Sequence, residues 1–460
     1  MLTSSHQVVH KDSAEQQRQR GKELRSAMPR QQLAEFSPAA GRDPLAILAE
    51  QNRGRLQPLV PVRLERMSES PFAFYRGAAA VMAADLAQTP STGIYVQACG
   101  DAHLSNFGVY AAPDRELIFD LNDFDETTPG PWEWDVKRLV SSIVLAGEQQ
   151  NLSAKSIRRA ALGTAAAYRI SIRRLATMPA LDRYYQRISK AEILRASSSM
   201  DEAAQQITAK TLQKAERNTS ERALKKLTIA DVDGGLRIVE QPPLVEHLPI
   251  FDVDRVRPIV EAYLRSVSPD IAALLSLYRF QDAAMKVVGV GSVGTRCAIV
   301  LLTDPSGSPL FLQLKEANNS VLERFVGASD FSTPGERVVS GQRMMQAASD
   351  PFLGWFSAEG VAFYVRQFRD MKGSIDLALL QAKSLGRYGE LCGRALARAH
   401  SQLGAAATIG AYLGGGDNAD RALAEFGERY AEITHLDHAE LLAQQPDVRE
   451  QLEAEEHQTP

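Results

Sequence analysis

The sequence predicts an α+β protein with a small antiparallel β lobe and a large helical lobe. From residue 280 to 375, apolar and β-branched runs alternate with glycine-containing turns, which is typical of antiparallel strands. Residues 152–227 contain many Ala, Lys, Arg and Glu residues, and no glycine lies between Gly163 and Gly234, which favours helices. With 460 residues, the chain is long enough for two or three domains.

The order of these segments predicts five parts. The helical lobe comes from two separate stretches, and a connecting helix precedes the β lobe. The parts are a mobile or loosely helical polar segment (1–35), a helical lobe with an acidic hairpin (36–250), a connecting helix (251–279), the small β lobe (280–375) and a helical C-terminal part of the large lobe (376–460).

Composition narrows the function classes. Hydrophobic residues make up 44% and charged residues 23% of the chain, as in ordinary globular proteins. The net charge of -4 does not suggest a nucleic-acid partner. We see no apolar run of about 18 residues, so we expect no membrane span. The polar N-terminus and three widely spaced cysteines lead us to expect a cytoplasmic protein without disulfides.

The main chemical signal is the stretch GDAHLSNFGVYAAPDRELIFDLNDFDE, two short strands flanked by polar residues. Phosphoryl-transfer enzymes use an Asp to accept the proton of the attacking hydroxyl, an Asn five residues later to hold metal, and a further Asp after a hairpin. Asp101 is accordingly the predicted base, with His103 beside it as a catalytic candidate. Asn106 and Asp120 are the predicted metal ligands, and Asp123 is the second choice.

Simpler explanations exist for this stretch. Asp, Asn and Gly are common in turns, so the spacing can arise by chance. A calcium-binding EF-hand loop does not fit, because Phe124 and Pro131 stand where ligands belong. Arg76 either forms surface salt bridges or faces phosphates. Asp135 either caps the following helix or bonds the backbone of the acidic loop.

A second signal is KVVGVGSVGTRCAIVLL, with glycines at 289, 291 and 294 around Ser292. Dinucleotide-binding folds carry the same spacing, but there the glycines open a helix. Here the residues after Gly294 favour a strand, so we predict a strand, a glycine loop and a strand. Glycines let backbone N–H groups approach phosphate oxygens closely. The four predicted loop residues that bind nucleotide are Gly289, Gly291, Ser292 and Gly294.

The following strand, LFLQLKE, carries Lys315, with the apolar residues Leu314 and Ala317 on either side of the Lys-Glu pair. Protein kinases have this arrangement, in which the lysine on the third strand pairs with the phosphates and with a helical Glu. Glu336, in a predicted helix from 336 to 348, is the expected partner of Lys315. Glu316 and Glu323 are alternatives.

The chain resembles the uncharacterised bacterial family catalogued as domain of unknown function 2252, over about residues 40–445. The resemblance rests on six stretches of sequence: SPFAFYRGAA, GDAHLSNFG, FDLNDFDETTPGPWEWDVKRL, KVVGVGSVGTRC, LKEA and GQRMMQAASDPFLGW. The individual motifs are similar to the aminoglycoside and choline kinase branch of the protein-kinase-like fold, whose loop reads H-G-D-x-H-x-x-N. That resemblance makes Asp101 the base, Asn106 and Asp120 metal ligands, and Asp135 the residue that steadies the loop.

Two features depart from the kinase pattern. Cys99 replaces the leading His, and the glycine loop follows the acidic loop instead of preceding it. A kinase-like fold would therefore have to be circularly permuted, with Asp101 and Gly291 facing one cleft. We expect an enzyme that uses ATP and Mg²⁺ to phosphorylate a small molecule or protein. A nucleotide-binding regulator and an enzyme that transfers AMP are alternatives, and the acceptor and oligomeric state cannot be predicted.

Overall fold

The computed structural model describes residues 9–198, 200, 202–230, 235–242, 245–247, 253–287, 291, 293–368 and 371–444. Within them the chain is a mixed α+β protein in which helices predominate and all named strand pairs are antiparallel. The predicted α+β class is therefore confirmed. No helix in the described residues combines the length and apolarity needed to cross a membrane.

The helices begin where capping residues allow. Asp43 accepts a hydrogen bond from the Ala46 amide, and Pro44 opens the helix that follows. The helices are α1 Ala14–Ala27, α2 Pro44–Asn52, α3 Val60–Ser68, α4 Pro71–Gly77, α5 Ala79–Leu86, α6 Trp132–Gln149, α7 Ala154–Leu175, α8 Ala180–Tyr184, α9 Lys190–Ser197, α10 Glu202–Glu216, α11 Ser220–Leu227, α12 Val253–Leu264, α13 Pro269–Leu275, α14 Glu323–Val326, α15 Pro334–Met345, α16 Ala382–His400, α17 Ala406–Leu413 and α18 Asn418–Ala443, with short 3₁₀ helices at Arg30–Ala34, Gln57–Leu59, Leu104–Asn106 and Leu377–Leu379.

The strands form one larger sheet and three small ones. The larger sheet has six strands in the order β12-β13-β11-β10-β9-β8, and the small ones pair β1 with β4, β2 with β3 and β5, and β6 with β7. The strands are β1 Tyr95–Ala98, β2 Phe107–Ala111, β3 Leu117–Leu121, β4 Thr128–Pro131, β5 Ile188–Ser189, β6 Thr228–Ala230, β7 Leu236–Ile238, β8 Val245–Glu246, β9 Arg279–Lys286, β10 Cys297–Thr303, β11 Pro309–Glu316, β12 Gly354–Ala358 and β13 Val361–Gln367.

Helix α6 lies at the centre of the helical part. Every residue from Trp132 to Gly147 is buried, including the apolar residues Val136, Leu139, Val140 and Ile143. Helices α7, α16 and α18 pack around it. A helix buried on all sides must satisfy its polar side chains inside the protein. The polar residues of α6 are therefore held in defined positions, and three of them, Asp135, Arg138 and Ser142, form hydrogen bonds with the acidic loop.

The six-stranded sheet contains the glycine-containing segment. Gly294 is followed after two residues by strand β10, which pairs with β9 on one side and β11 on the other. A dinucleotide-binding fold requires a helix at this point, so this alternative is excluded. Strand β11 places Lys315 opposite Cys297. Phe311, Gln313 and Lys315 are every second residue of this strand and therefore share one face of the sheet.

The N-terminal segment contains more structure than its polar composition suggests. A capping box joins Ser13 and Gln16 at the start of α1. Leu33 is fully buried, and the Arg30 side chain donates a hydrogen bond to the Leu413 carbonyl at 2.7 Å. The described residues of this segment therefore pack against the C-terminal helices.

Candidate active site

A polar cleft of about 230 Å³ lies where the helical part meets the six-stranded sheet. Asp101, Asn106 and Asp123 line it from the acidic stretch, and Gly291 and Glu316 line it from the sheet part. The expectation that Asp101 and Gly291 face one cleft is confirmed. This convergence comes from tertiary packing alone, because the two segments are far apart in sequence.

Asp101 is held by a buried arginine that the sequence analysis did not identify. Arg138, on α6, donates from Nε to Asp101 Oδ1 at 2.5 Å and from Nη2 to the Tyr75 carbonyl at 3.0 Å. Burial raises the pKa of Asp101 to about 6, although Arg138 acts to lower it. The Asp101 side chain keeps 21% exposure, which leaves it open to the cleft. A carboxylate with this pKa can accept a proton near neutral pH.

His103 is buried beside Asp101 and also lines the cleft. Its Nδ1 accepts a hydrogen bond from the Ser105 amide at 3.2 Å, so the neutral ring carries its proton on Nε2. That nitrogen lies 3.7 Å from Asp101 Oδ2. Burial, with Arg76 and Arg138 nearby, lowers the pKa of His103 well below its usual value. His103 therefore lies beside Asp101 in its neutral form, with its Nε2 outside hydrogen-bond distance of the carboxylate.

Asp135 holds the acidic loop from behind. Its carboxylate accepts hydrogen bonds from the Cys99 amide at 2.6 Å and the Gly100 amide at 2.9 Å, and His400 Nε2 lies 3.0 Å away. It does not cap α6, because Pro131 occupies the N-cap position. Gly100 has a φ of +79°, and a Cβ there would lie 2.3 Å from the Glu126 carbonyl oxygen. Of the two roles considered for Asp135, the structure therefore supports the loop-steadying one.

Asn106 and Asp123 are the predicted metal ligands that reach the cleft. The Asn106 amide nitrogen donates to the Asp101 carbonyl at 2.7 Å, so its Oδ1 is the atom that a cation would meet. The Asp123 side chain is 33% exposed, and its Oδ1 accepts a hydrogen bond from the Phe124 amide at 3.1 Å. Together they offer the oxygen donors that Mg²⁺ prefers.

Asp120 does not meet Asn106 at the cleft, contrary to the sequence prediction. It is 2% exposed, and its two oxygens accept hydrogen bonds from the Leu121 amide at 2.9 Å and the Ala347 amide at 2.8 Å. Burial raises the pKa of its carboxyl group. Asp120 thus joins the hairpin to the residues just after α15, and Asp123 is the aspartate of the predicted metal ligands that lines the cleft.

Lys315 pairs with aspartates of the acidic stretch and not with a helical Glu. Its Nζ lies 2.7 Å from Asp125 Oδ2 and 3.5 Å from Asp123 Oδ1, and the Lys315 side chain is only 2% exposed. Burial alone would lower the pKa of Lys315, but the two aspartates raise it well above its usual value. Asp125 also accepts a hydrogen bond from the Tyr364 hydroxyl at 2.6 Å, and against the effect of burial Lys315 holds the pKa of Asp125 at about 2.

The prediction that Glu336 pairs with Lys315 is wrong. The Glu336 carboxylate accepts hydrogen bonds from the Ser332 amide and hydroxyl beside the start of α15. The two alternatives also have other partners. Glu316 pairs with Arg296, and Glu323 lies 3.3 Å from Arg337.

The glycine turn is attached to the helical part by Arg55 and Leu56. Arg55 Nη1 donates to the Val293 carbonyl at 2.5 Å, and the Leu56 amide donates to the Gly294 carbonyl at 2.7 Å. Gly294 has a φ of +89°, which a side chain would strain. Gly291 lines the cleft, while Gly289 and Ser292 lie outside the described residues.

Two arginines at the cleft carry positive charge without hydrogen bonds at Nε. The Nε atoms of Arg55 and Arg76 are buried and have no hydrogen-bond partner within the described part of the chain. Burial lowers the pKa of both guanidinium groups, and nearby acidic residues oppose this. The surface salt bridge considered for Arg76 is absent from the described residues. Buried donors of this kind are suited to anionic oxygens.

Sequence reasoning missed Arg138, Arg55 and Glu126. Arg138 follows Asp135 by one helical turn, and this spacing is a usable signal for a second contact with the same loop. Glu126 lines the cleft and accepts a hydrogen bond from the Val321 amide at 2.7 Å, and burial raises its pKa to about 7. No local signal identifies Arg55, because its contact with Val293 depends on the tertiary fold.

The fold and the site together define an α+β protein with a polar cleft between an acidic loop and a glycine turn. Residues 55–444 match the family model described as "Uncharacterized protein conserved in bacteria (DUF2252)", and the chain belongs to this family. No curated protein and no solved structure matches the chain.

Proposed function

We propose that this protein is an ATP- and Mg²⁺-dependent phosphotransferase that acts on a hydroxyl-bearing acceptor. We also propose that its fold is a circularly permuted, kinase-like arrangement of two lobes. The observation that carries the proposal is the cleft itself. It gathers Asp101, Asn106 and Asp123 with Gly291, and Lys315 lies beside Asp123. These are the parts that phosphoryl transfer requires, namely a base, oxygen donors for a metal and cations for phosphate.

The reaction follows from the position of Asp101. The acceptor oxygen attacks the γ-phosphorus of ATP, and its proton passes to the Asp101 carboxylate. The bond between the γ-phosphorus and the bridging oxygen of the β-phosphate breaks, and ADP leaves. The hydrogen bond from Arg138 fixes the orientation of Asp101 for this step, and His103 packs beside it.

The donor set fits Mg²⁺ shared between protein and phosphate. Within the described residues no three His, Cys, Asp or Glu side chains form a metal-binding group. Mg²⁺ is usually held by one or two carboxylates together with substrate phosphates and waters. Asp123 and Asn106 would supply the protein ligands, and the metal would neutralise charge on the phosphate oxygens. The cleft volume of about 230 Å³ suits the phosphate end of a nucleotide.

A regulator that binds nucleotide without turnover is the second candidate. The observation that favours it is the pairing of Lys315 with Asp123 and Asp125, which already compensates the charge of Lys315. Turnover requires Lys315 to exchange these contacts for phosphate. ADP release above the uncatalysed rate separates the enzyme from the regulator.

The test of the proposed function is the substitution Lys315→Met, which keeps most of the side-chain volume and removes the charge. We expect MgATP affinity to fall by about tenfold or more, because hydrogen bonds to charged groups contribute about 1.5–3 kcal/mol. Isothermal titration measures the affinity, and circular dichroism checks the fold.

Lys226→Met, at an exposed position in α11, is the control and should bind MgATP like the wild type. Lys315→Arg keeps a cation beside Asp125 and tests the same site if Lys315→Met unfolds, with an expected affinity below that of the wild type. Unchanged MgATP affinity in a folded Lys315→Met variant, or no MgATP binding by the wild type, contradicts the proposal.

A further inference from the structure

A second, larger pocket adjoins the cleft on its helical side. It has a volume of about 550 Å³, within the roughly 300–1,000 Å³ typical of small-molecule sites. Arg76 lines both the cleft and this pocket. Ser105 also lines the pocket, and its amide bonds the His103 ring at 3.2 Å. The pocket therefore begins at the loop that carries Asp101.

The pocket combines an apolar floor with an open polar rim. Phe72, Phe107 and Tyr388 line it and are buried, and the Tyr388 hydroxyl donates to the Phe107 carbonyl at 2.9 Å. The aromatic floor is therefore fixed by packing and hydrogen bonding. Gln149 and Ser374 are exposed at the rim and can bond hydroxyl groups.

Positive charge in this pocket exceeds negative charge. Arg76 and Lys214 line it, and neither forms an ion pair within the described residues. Asp376 is the acidic lining residue among those described, and its carboxylate accepts a hydrogen bond from the Ala378 amide at 3.1 Å. Asp101 and Glu69 act on Arg76 from nearby, but among the described residues no carboxylate lies within salt-bridge distance of Arg76 or Lys214, which suits a ligand that brings its own negative charge.

We propose that this second pocket binds the phosphate acceptor, and that the acceptor is a small molecule carrying a carboxylate or phosphate in addition to its reactive hydroxyl. The anionic group lies between Arg76 and Lys214, and the hydroxyl points towards Asp101. A small acceptor is the class that matches the volume of this pocket, about 550 Å³. This inference rests on the proposed function.

The test titrates the full-length protein, without nucleotide, with glycerol 3-phosphate, glycerate and glycerol. These probes share a small hydroxylated skeleton and differ in charge, so the first two distinguish a phosphate preference from a carboxylate preference. We expect at least one anionic probe to bind and glycerol to bind at least about tenfold more weakly, as expected for one charge-assisted contact.

The variant Lys214→Glu reverses one charge at the rim of the pocket, and Lys210→Glu is its matched control. Both lysines are exposed on α10, one helical turn apart, and Lys210 does not line the pocket. Lys214→Glu should weaken binding of the anionic probe by about tenfold, because attraction is replaced by repulsion, while Lys210→Glu should not.

Three results overturn the inference: equal binding of glycerol and the anions, no binding of either anion, or equal anion affinity in wild type and Lys214→Glu. Binding of the anionic probes is measured without ATP, so it does not depend on phosphotransferase activity. If an anion binds but the phosphotransferase proposal fails, the second pocket is a small-anion site. If MgATP binds but neither anion does, only the assignment of the acceptor pocket is wrong.

Discussion

Aspartates lie on both sides of the acidic stretch. Those on one side face the open cleft, and those on the other side are buried behind it. Asp101 and Asp123 face the cleft, and arginine or lysine side chains contact them. Asp120 and Asp135 lie behind it, where backbone amides donate to their carboxylates. A carboxylate held by backbone amides fixes the local fold. A carboxylate that meets side chains in an open cleft can exchange them for a ligand, so Asp101 and Asp123 are the aspartates to which we assign a role in the proposed function.

The largest expected effect on the cleft side is that of Asp101→Asn on turnover. The amide keeps the size of the side chain but cannot accept a proton, so ADP release should fall by about 10²–10⁴-fold. MgATP affinity should remain close to that of the wild type, because Asp101 is not assigned to metal or phosphate. A coupled ADP-release assay measures the effect, with exposed Asp182→Asn as control. Full turnover in Asp101→Asn would place the base elsewhere.

On the buried side, Asp135→Ala should affect stability most. It leaves the Cys99 and Gly100 amides without their acceptor. Each buried unsatisfied amide costs roughly 1–3 kcal/mol, so the free energy of unfolding should fall by about 2–6 kcal/mol. Urea denaturation measures this loss. Asp123→Ala is the comparison and should cost no more than about 1 kcal/mol, as for a partly exposed pair. Equal losses in the two variants would remove the distinction between the two sides.

The pH dependence of turnover gives a smaller and more gradual effect. Burial raises the pKa of Asp101 to about 6. Since the base must be deprotonated, kcat/KM should rise with pH through about 6 and fall about tenfold per pH unit well below it. Steady-state kinetics between pH 5 and pH 8 measure the profile. A flat profile through this range would argue against Asp101 as the group that accepts the proton.

Local patterns were sufficient for the order of elements but not for the direction of side chains. The strand after Gly294 was predicted from β-branched residues, and the cleft shared by Asp101 and Gly291 was expected from the resemblance to kinases. Asp120 was misplaced because spacing does not reveal which side of a two-stranded hairpin faces the cleft. In the fold, Asp120 bonds the Ala347 amide, a contact that only the packing of α15 creates.

The wrong choice of Glu336 as the partner of Lys315 could have been avoided from the sequence. Thr333 and Glu336 have the T-x-x-E spacing of a helix start, and this pattern predicts a local capping role for Glu336. The true partner, Asp125, comes from the other part of the molecule, so no local pattern identifies it. Arg55 is a similar case, because its bond to the Val293 carbonyl joins segments that are distant in sequence.

The most direct test of the account compares MgATP binding by Asp123→Ala and Asp120→Ala in isothermal titrations. Asp123→Ala should weaken MgATP binding by about tenfold or more, because it removes a metal-ligand carboxylate at the cleft. Asp120→Ala should lower stability, since two buried amides lose their acceptor, and should leave MgATP affinity within about twofold of the wild type. Loss of MgATP binding in a folded Asp120→Ala variant, with wild-type affinity in Asp123→Ala, would contradict the account.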